Sequence, residues 1–102
     1  MSSRYVLSPA ARVDLERIWD YTHDRWGIHQ AEQYLRELEH AIGRVAANPR
    51  IGRACDEIRR GYRKLAAGSH TLFYRVIADD AGDVIDVARV LHQRMDVDRH
   101  LL

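Results

Sequence analysis

The stretch from Arg59 to Val76 limits the fold more than any other part of this chain. Tyr62 to Ala67 and Thr71 to Ile77 are rich in aromatic, β-branched and other apolar residues, which suit a pleated, half-buried surface. Between them stands Gly68-Ser69. Glycine first in a two-residue loop suits a type II′ turn, whose twist matches that of the flanking strands. The stretch therefore reads as a β-hairpin. The last strand of the chain is Val84 to His92, reached through the turn sequence Asp79-Asp80-Ala81-Gly82-Asp83. In that last strand Ile85, Val87 and Leu91 fall on one face and are expected to meet the helices.

The hairpin is also the basic part of the chain. Residues 49–77 carry seven Arg and Lys against two acids, a net charge of +5. Residues 1–48 sum to −1 and residues 78–102 to −3, so the overall +1 hides a positive middle between acidic flanks. Such a middle attracts an acidic partner, protein or nucleic acid, unless it is simply a solvated sheet face.

The first half is helical. Tyr5-Val6-Leu7 reads as a short strand. Ser8 can cap a helix through its hydroxyl, and Pro9 suits the first helical position, where its missing N–H is no loss. Ala11, Leu15, Ile18, Trp19, Thr22 and Trp26 fall at helical spacing, with Asp14, Arg17, Asp20 and Asp24 assigned to the opposite face. Trp19 and Trp26 are read as core. Trp26-Gly27 marks a break. Ala31, Tyr34, Leu35, Leu38, Ala41, Ile42 and Val45 then form an apolar stripe that ends at Asn48-Pro49. The short link implies a helical hairpin. Residues 50–60 read as a polar loop with a turn near Ile58.

The order β-α-α-β-β-β predicts an α+β, two-layer fold, with the helical hairpin packed on a mostly antiparallel sheet. A chain of 102 residues makes one domain, 1–102. No apolar run approaches 18 residues, and the N-terminus leads into a strand, so a cytoplasmic protein is expected. Cys55 is the only cysteine and reads as a reduced, inert thiol. His23, His29, His40, His70 and His100 show no metal-ligand spacing. Neither a metal nor a cofactor is expected. Tyr62, Phe73 and Tyr74 alternate across the sheet, so one of these aromatics should point away from the helices, exposed among arginines.

Many short segments, in this order, carry a resemblance. They include Leu7-Ser8-Pro9-Ala10-Ala11, Ile18-Trp19-Asp20-Tyr21-Thr22, Trp26-Gly27, Ile58-Arg59-Arg60-Gly61-Tyr62-Arg63, Gly68-Ser69-His70, Phe73-Tyr74-Arg75 and Val90-Leu91-His92-Gln93-Arg94-Met95-Asp96. Through them the chain resembles, nearly end to end, the ParE toxins of the RelE/ParE toxin–antitoxin superfamily. The resemblance implies the RelE-like fold, with the first strand beside the last. It implies a toxin that stalls bacterial DNA gyrase on cleaved DNA, neutralised by a ParD-like antitoxin. DNA would be touched only indirectly, through antitoxin or gyrase.

Two other classes remain. A ribosome-dependent mRNA endonuclease of the RelE type needs a base for the 2′-OH, an acid for the leaving oxygen and cations on the phosphate. His92, with Arg94, Arg63, Arg75 and Tyr74, could supply such a set. A non-toxic antitoxin-binding module needs none of it. No nucleophile–base–orienter set is visible, so no catalytic residue is assigned. The candidates for target contact are Arg59, Arg60, Arg63, Arg75, His92, Arg94, Arg99, Leu101 and Leu102. The helix surfaces and an open sheet edge are the candidates for antitoxin contact.

Overall fold

The computed structural model describes residues 4–95. The tail positions Arg99, Leu101 and Leu102 lie outside them. The elements are β1 (Arg4–Leu7), α1 (Pro9–Trp26), α2 (Ile28–Ala47), a 3₁₀ turn (Pro49–Ile51), β2 (Arg53–Ala54), β3 (Tyr62–Ala67), β4 (His70–Asp79) and β5 (Gly82–His92). The sheet order is β1-β5-β4-β3-β2. β1 runs parallel to β5, and the other neighbours are antiparallel. This is the expected α+β architecture with the first strand beside the last. The two-residue β2 is an addition. It is too short to leave an alternation pattern in the sequence.

Ser8 caps α1 as its sequence position suggests. Its Oγ accepts the Ala11 N–H at 3.0 Å and donates to the Ala88 carbonyl at 2.7 Å, so the helix start is pinned to β5. A single residue, Gly27, joins the helices at φ +90°, a conformation that glycine adopts without a Cβ penalty. The apolar stripe of α2 is buried as expected: Ala31, Leu38, Ala41, Ile42 and Val45 are all at most 2% exposed. It packs against Leu72, Tyr74, Ile85, Val87 and Val90 on one sheet face.

Three expectations fail here, each for a physical reason. Asp14 does not lie on a solvated face of α1; it is buried with Ala11, Ile18 and Thr22. The spacing 11-14-18-22 is itself helical, and Asp14 sits on it because it has partners. Arg89 grips it through Nε and Nη2, both at 2.8 Å, and the Val90 N–H donates to Oδ2 at 2.9 Å. Trp26 is not core but 61% exposed at the last turn of α1. It packs edge-on against Tyr21, with Arg25 over both rings.

The third failure is Leu91. Phe73 pairs with Arg89 while Tyr74 pairs with Val87, so Ala88 has no cross-strand partner. This bulge inserts one residue into β5 and shifts the alternation beyond it. Val90, not Leu91, therefore meets the helices. Leu91 joins a second apolar cluster of Cys55, Tyr62 and Phe73, with Ile58 and Ala88 packed against it. No helix residue belongs to that cluster, which the 55–61 loop covers.

Both the stripe and the buried carboxylate can be tested by denaturant unfolding. Leu38→Ala should cost about 2–5 kcal/mol, because a fully buried leucine leaves a cavity. Asp14→Ala should cost about 3–5 kcal/mol, because it removes two charge-assisted hydrogen bonds from the half-buried Arg89 guanidinium and orphans the Val90 N–H. Combining Asp14→Leu with Arg89→Met, which replaces the ion pair by apolar side chains, should recover part of that loss.

Candidate functional site

The basic hairpin forms the first candidate surface. Tyr62 and Arg75 face each other across β3 and β4, on the side away from the helices. The Tyr62 ring lies under two guanidinium groups, Arg59 at 5.2 Å and Arg75 at 5.9 Å from its centroid. Cation–π attraction of this kind holds flexible cations over a sheet. Neither Tyr62 nor Phe73 is exposed, contrary to the expectation of an aromatic hot spot among arginines. They point away from the helices, but the 55–61 loop buries them. What this surface presents is the arginines themselves.

The arginines expected at the target have different roles. Arg75 makes an ion pair with Asp86 at 3.0 Å, and this hydrogen bond raises its pKa above the usual guanidinium value. Arg63 is half-buried and donates to the Gly52 carbonyl at 2.7 Å. It does not face solvent as a free contact; it holds the 49–53 segment on the sheet. Tyr74 completes that hold from the helix side, where its hydroxyl donates to the Pro49 carbonyl at 2.6 Å and accepts the Gly52 N–H at 2.9 Å. A side chain on Gly52 would collide with this hydroxyl. Arg59 and Arg60 are exposed on the loop. Arg53 and Lys64, absent from the sequence-based candidates, are opposed across β2 and β3. Like charges so placed repel each other, and they add to the positive face. The missing signal is β2 itself.

The second candidate lies between α1 and the ends of β4 and β5. It is a cleft of about 410 Å³ whose lining includes Arg17, Ile18, Tyr21, His70, His92 and Met95. His92 is thus at a cleft, and Arg94 is exposed beside it. The Arg94 N–H donates to His92 Nδ1 at 3.1 Å. His70, also absent from the sequence-based candidates, pairs with His92 across β4 and β5, and their rings meet edge-on at 5.3 Å. Burial, and then the neighbouring His92, lower the His70 pKa to about 4. The Tyr34 hydroxyl contacts His70 Nδ1 at 2.6 Å and accepts the Ser69 N–H at 2.9 Å. This ties α2 to the hairpin turn. The turn is tight, since Gly68 has φ +58° and an added Cβ would meet the Tyr34 ring at 2.7 Å.

Cys55 is buried, and that burial raises its thiol pKa, as suits an unreactive cysteine. Among the described residues no group of three or more His, Cys, Asp or Glu could hold a metal ion. Among them, too, no helix is long and apolar enough to cross a membrane.

Comparison with known proteins adds a family. The profile described as "ParE toxin of type II toxin-antitoxin system, parDE" matches residues 5–97. The chain is 76% identical over 101 residues to Toxin ParE1 of Mycobacterium tuberculosis, covering 99% of this chain and 100% of that one. It is 44% identical over 97 residues to Toxin ParE1 of Caulobacter vibrioides, covering 95% and 96%. Among solved structures, a chain of the chromosomal ParDE system from P. aeruginosa superposes with a TM-score of 0.74 at 17% identity, covering 89% of this chain and 96% of that one. A chain of the toxin–antitoxin complex RelBE2 from Mycobacterium tuberculosis gives 0.61 at 23% identity, covering 91% and 100%. At these identities the two structures speak for the fold.

The lowered His70 pKa has a sign that can be checked. Between pH about 6.5 and about 4 the unfolded chain binds a proton at His70 that the folded chain refuses. Folding stability should therefore fall as pH drops through that window. Denaturant midpoints measured from pH 7 to pH 4 should decline less steeply in His70→Gln than in the parent chain.

Proposed function

The chain belongs to the ParE toxin family of type II toxin–antitoxin systems, and from that premise we propose that it arrests growth by binding DNA gyrase. It stalls the enzyme on cleaved DNA and does no covalent chemistry of its own. A ParD-like antitoxin neutralises it. On this reading the toxin acts in the cytoplasm and needs no cofactor. It meets DNA only through gyrase or the antitoxin.

One observation carries the choice of binding over RNA cleavage: both cleft imidazoles have Nδ1 engaged, His70 by the Tyr34 hydroxyl and His92 by the Arg94 N–H, so neither offers a free basic nitrogen to a 2′-OH. Arg63 is spent on the Gly52 carbonyl, and Arg75 lies beside Tyr62 on the sheet face opposite the imidazoles. His92 Nδ1 takes a backbone N–H, and His70 stays neutral far below pH 7. A general acid and base for RNA need titration near the working pH and reach to the 2′-OH and the leaving oxygen. In this reading Arg59, Arg60 and Arg75 contact gyrase from the loop-covered face, and His92 and Arg94 contact it from the strand end. Arg63 acts by positioning the 49–53 segment. The tail positions Arg99, Leu101 and Leu102 join the target contacts. The antitoxin takes the helix surfaces, where Tyr21, Trp26 and Ile28 are exposed.

The test sets the purified chain beside gyrase and, separately, beside a translation extract. Supercoiling should fall or cleaved DNA accumulate, while translation proceeds. Arg60→Ala with Arg75→Ala should weaken inhibition by roughly tenfold, through lost charge-assisted contacts, at an unchanged melting temperature. Codon-dependent mRNA cuts with gyrase unaffected would transfer the protein to the endonuclease reading.

A further inference from the structure

The cleft beside α1 has donors with no acceptor. The Tyr34 oxygen accepts the Ser69 N–H, and we assign its own proton to the 2.6 Å contact with His70 Nδ1, the acceptor within reach. His92 Nδ1 accepts the Arg94 N–H. With Nδ1 as the acceptor in each ring, the ring proton sits on Nε2. Among the described residues no buried side-chain nitrogen lacks a hydrogen-bond partner, so both Nε2–H groups open to the cleft. Arg17, four residues before Tyr21 on α1, adds a guanidinium with no carboxylate partner among the described residues. The one acid in the lining, Asp14, is already satisfied by Arg89 and the Val90 N–H. The rest of the lining is Thr22, Arg89 and an apolar wall of Ile18, Val90 and Met95, which Tyr21 continues to the exposed Trp26.

We propose that this cleft is a carboxylate-binding site, which takes an acidic side chain of the antitoxin and seats a neighbouring apolar side chain against Ile18 and Met95. Two N–H donors and a guanidinium match an acid's acceptor-only oxygens. The apolar wall, continuous with Tyr21 and Trp26, suits a partner held for long periods. The site lies on the helix side of the sheet, so its occupant leaves the arginines over Tyr62 uncovered. The assignment rests on the antitoxin reading above and specifies its chemistry.

Two measurements on the full chain test it. Sodium isovalerate, an apolar acid, is titrated while the imidazole nitrogens of His70 and His92 are followed by NMR. Both signals should shift saturably, whereas isoamyl alcohol, which lacks the charge, should leave them in place. The Arg17→Gln variant should weaken isovalerate binding and raise the Kd for the co-expressed ParD-like antitoxin, each by roughly tenfold. Its melting temperature and gyrase inhibition should match the parent's. Absence of an isovalerate shift overturns the site. Unchanged antitoxin affinity in Arg17→Gln overturns the assignment to that partner, as does loss of gyrase inhibition in its place. A parent chain that binds isovalerate but no ParD-like protein marks failure of the underlying partner reading, and is told apart by that combination.

Discussion

The Asp14 carboxylate is the contact on which the two layers depend. It is buried in α1 and takes three hydrogen bonds, two from Arg89 and one from the Val90 backbone. A buried carboxylate without partners would be far too costly to keep ionised. With them, it fastens the first helix to the edge of β5 beyond the point where β1 stops pairing, at Val87. The Val90 N–H that β1 does not reach is met by a side chain instead. The arrangement needs the Ala88 bulge, and the Ser8 hydroxyl binds the Ala88 carbonyl a few residues away. Helix cap, bulge and ion pair thus form one joint between the start of the chain and its last strand.

Most of the fold is legible in the sequence because its signals are local. The α2 stripe, the Ser8-Pro9 start and the Gly68-Ser69 turn each show within a few residues. What escapes depends on distant partners. Asp14 looks like a solvated helix residue until Arg89, 75 positions later, is placed beside it. The bulge is invisible in β5 alone, since only the register against β4 shows that Ala88 is unpaired. Simple alternation therefore puts Leu91 on the wrong face. Trp26 looks like core by residue type, but its position past the last buried turn leaves it over Tyr21 in solvent.

The site is less legible than the fold for the same reason. The sequence shows a cationic middle, but not that Arg63 is spent on the Gly52 carbonyl, nor that a loop covers Tyr62 and Phe73. His92 stands out by its place at a strand end. His70 does not, because its meaning comes from Tyr34 on a helix and His92 on another strand. Only the glycine of the tight turn, Gly68, hints that something large stands close by.

The position of β5 has a consequence for how the protein is made. Among the described residues it is the last strand, yet it lies between β1, the first of them, and β4. A nascent chain still lacking it cannot join β1 to the sheet or satisfy Asp14. High contact order of this kind slows folding, because distant segments must meet before their contacts stabilise anything. On the ribosome the helical hairpin and the β3–β4 hairpin can form early, but β1 and α1 close onto the sheet only after β5 has emerged. The folded toxin therefore cannot exist before β5 is made, and a fragment released earlier is left without the joint that makes it a protein.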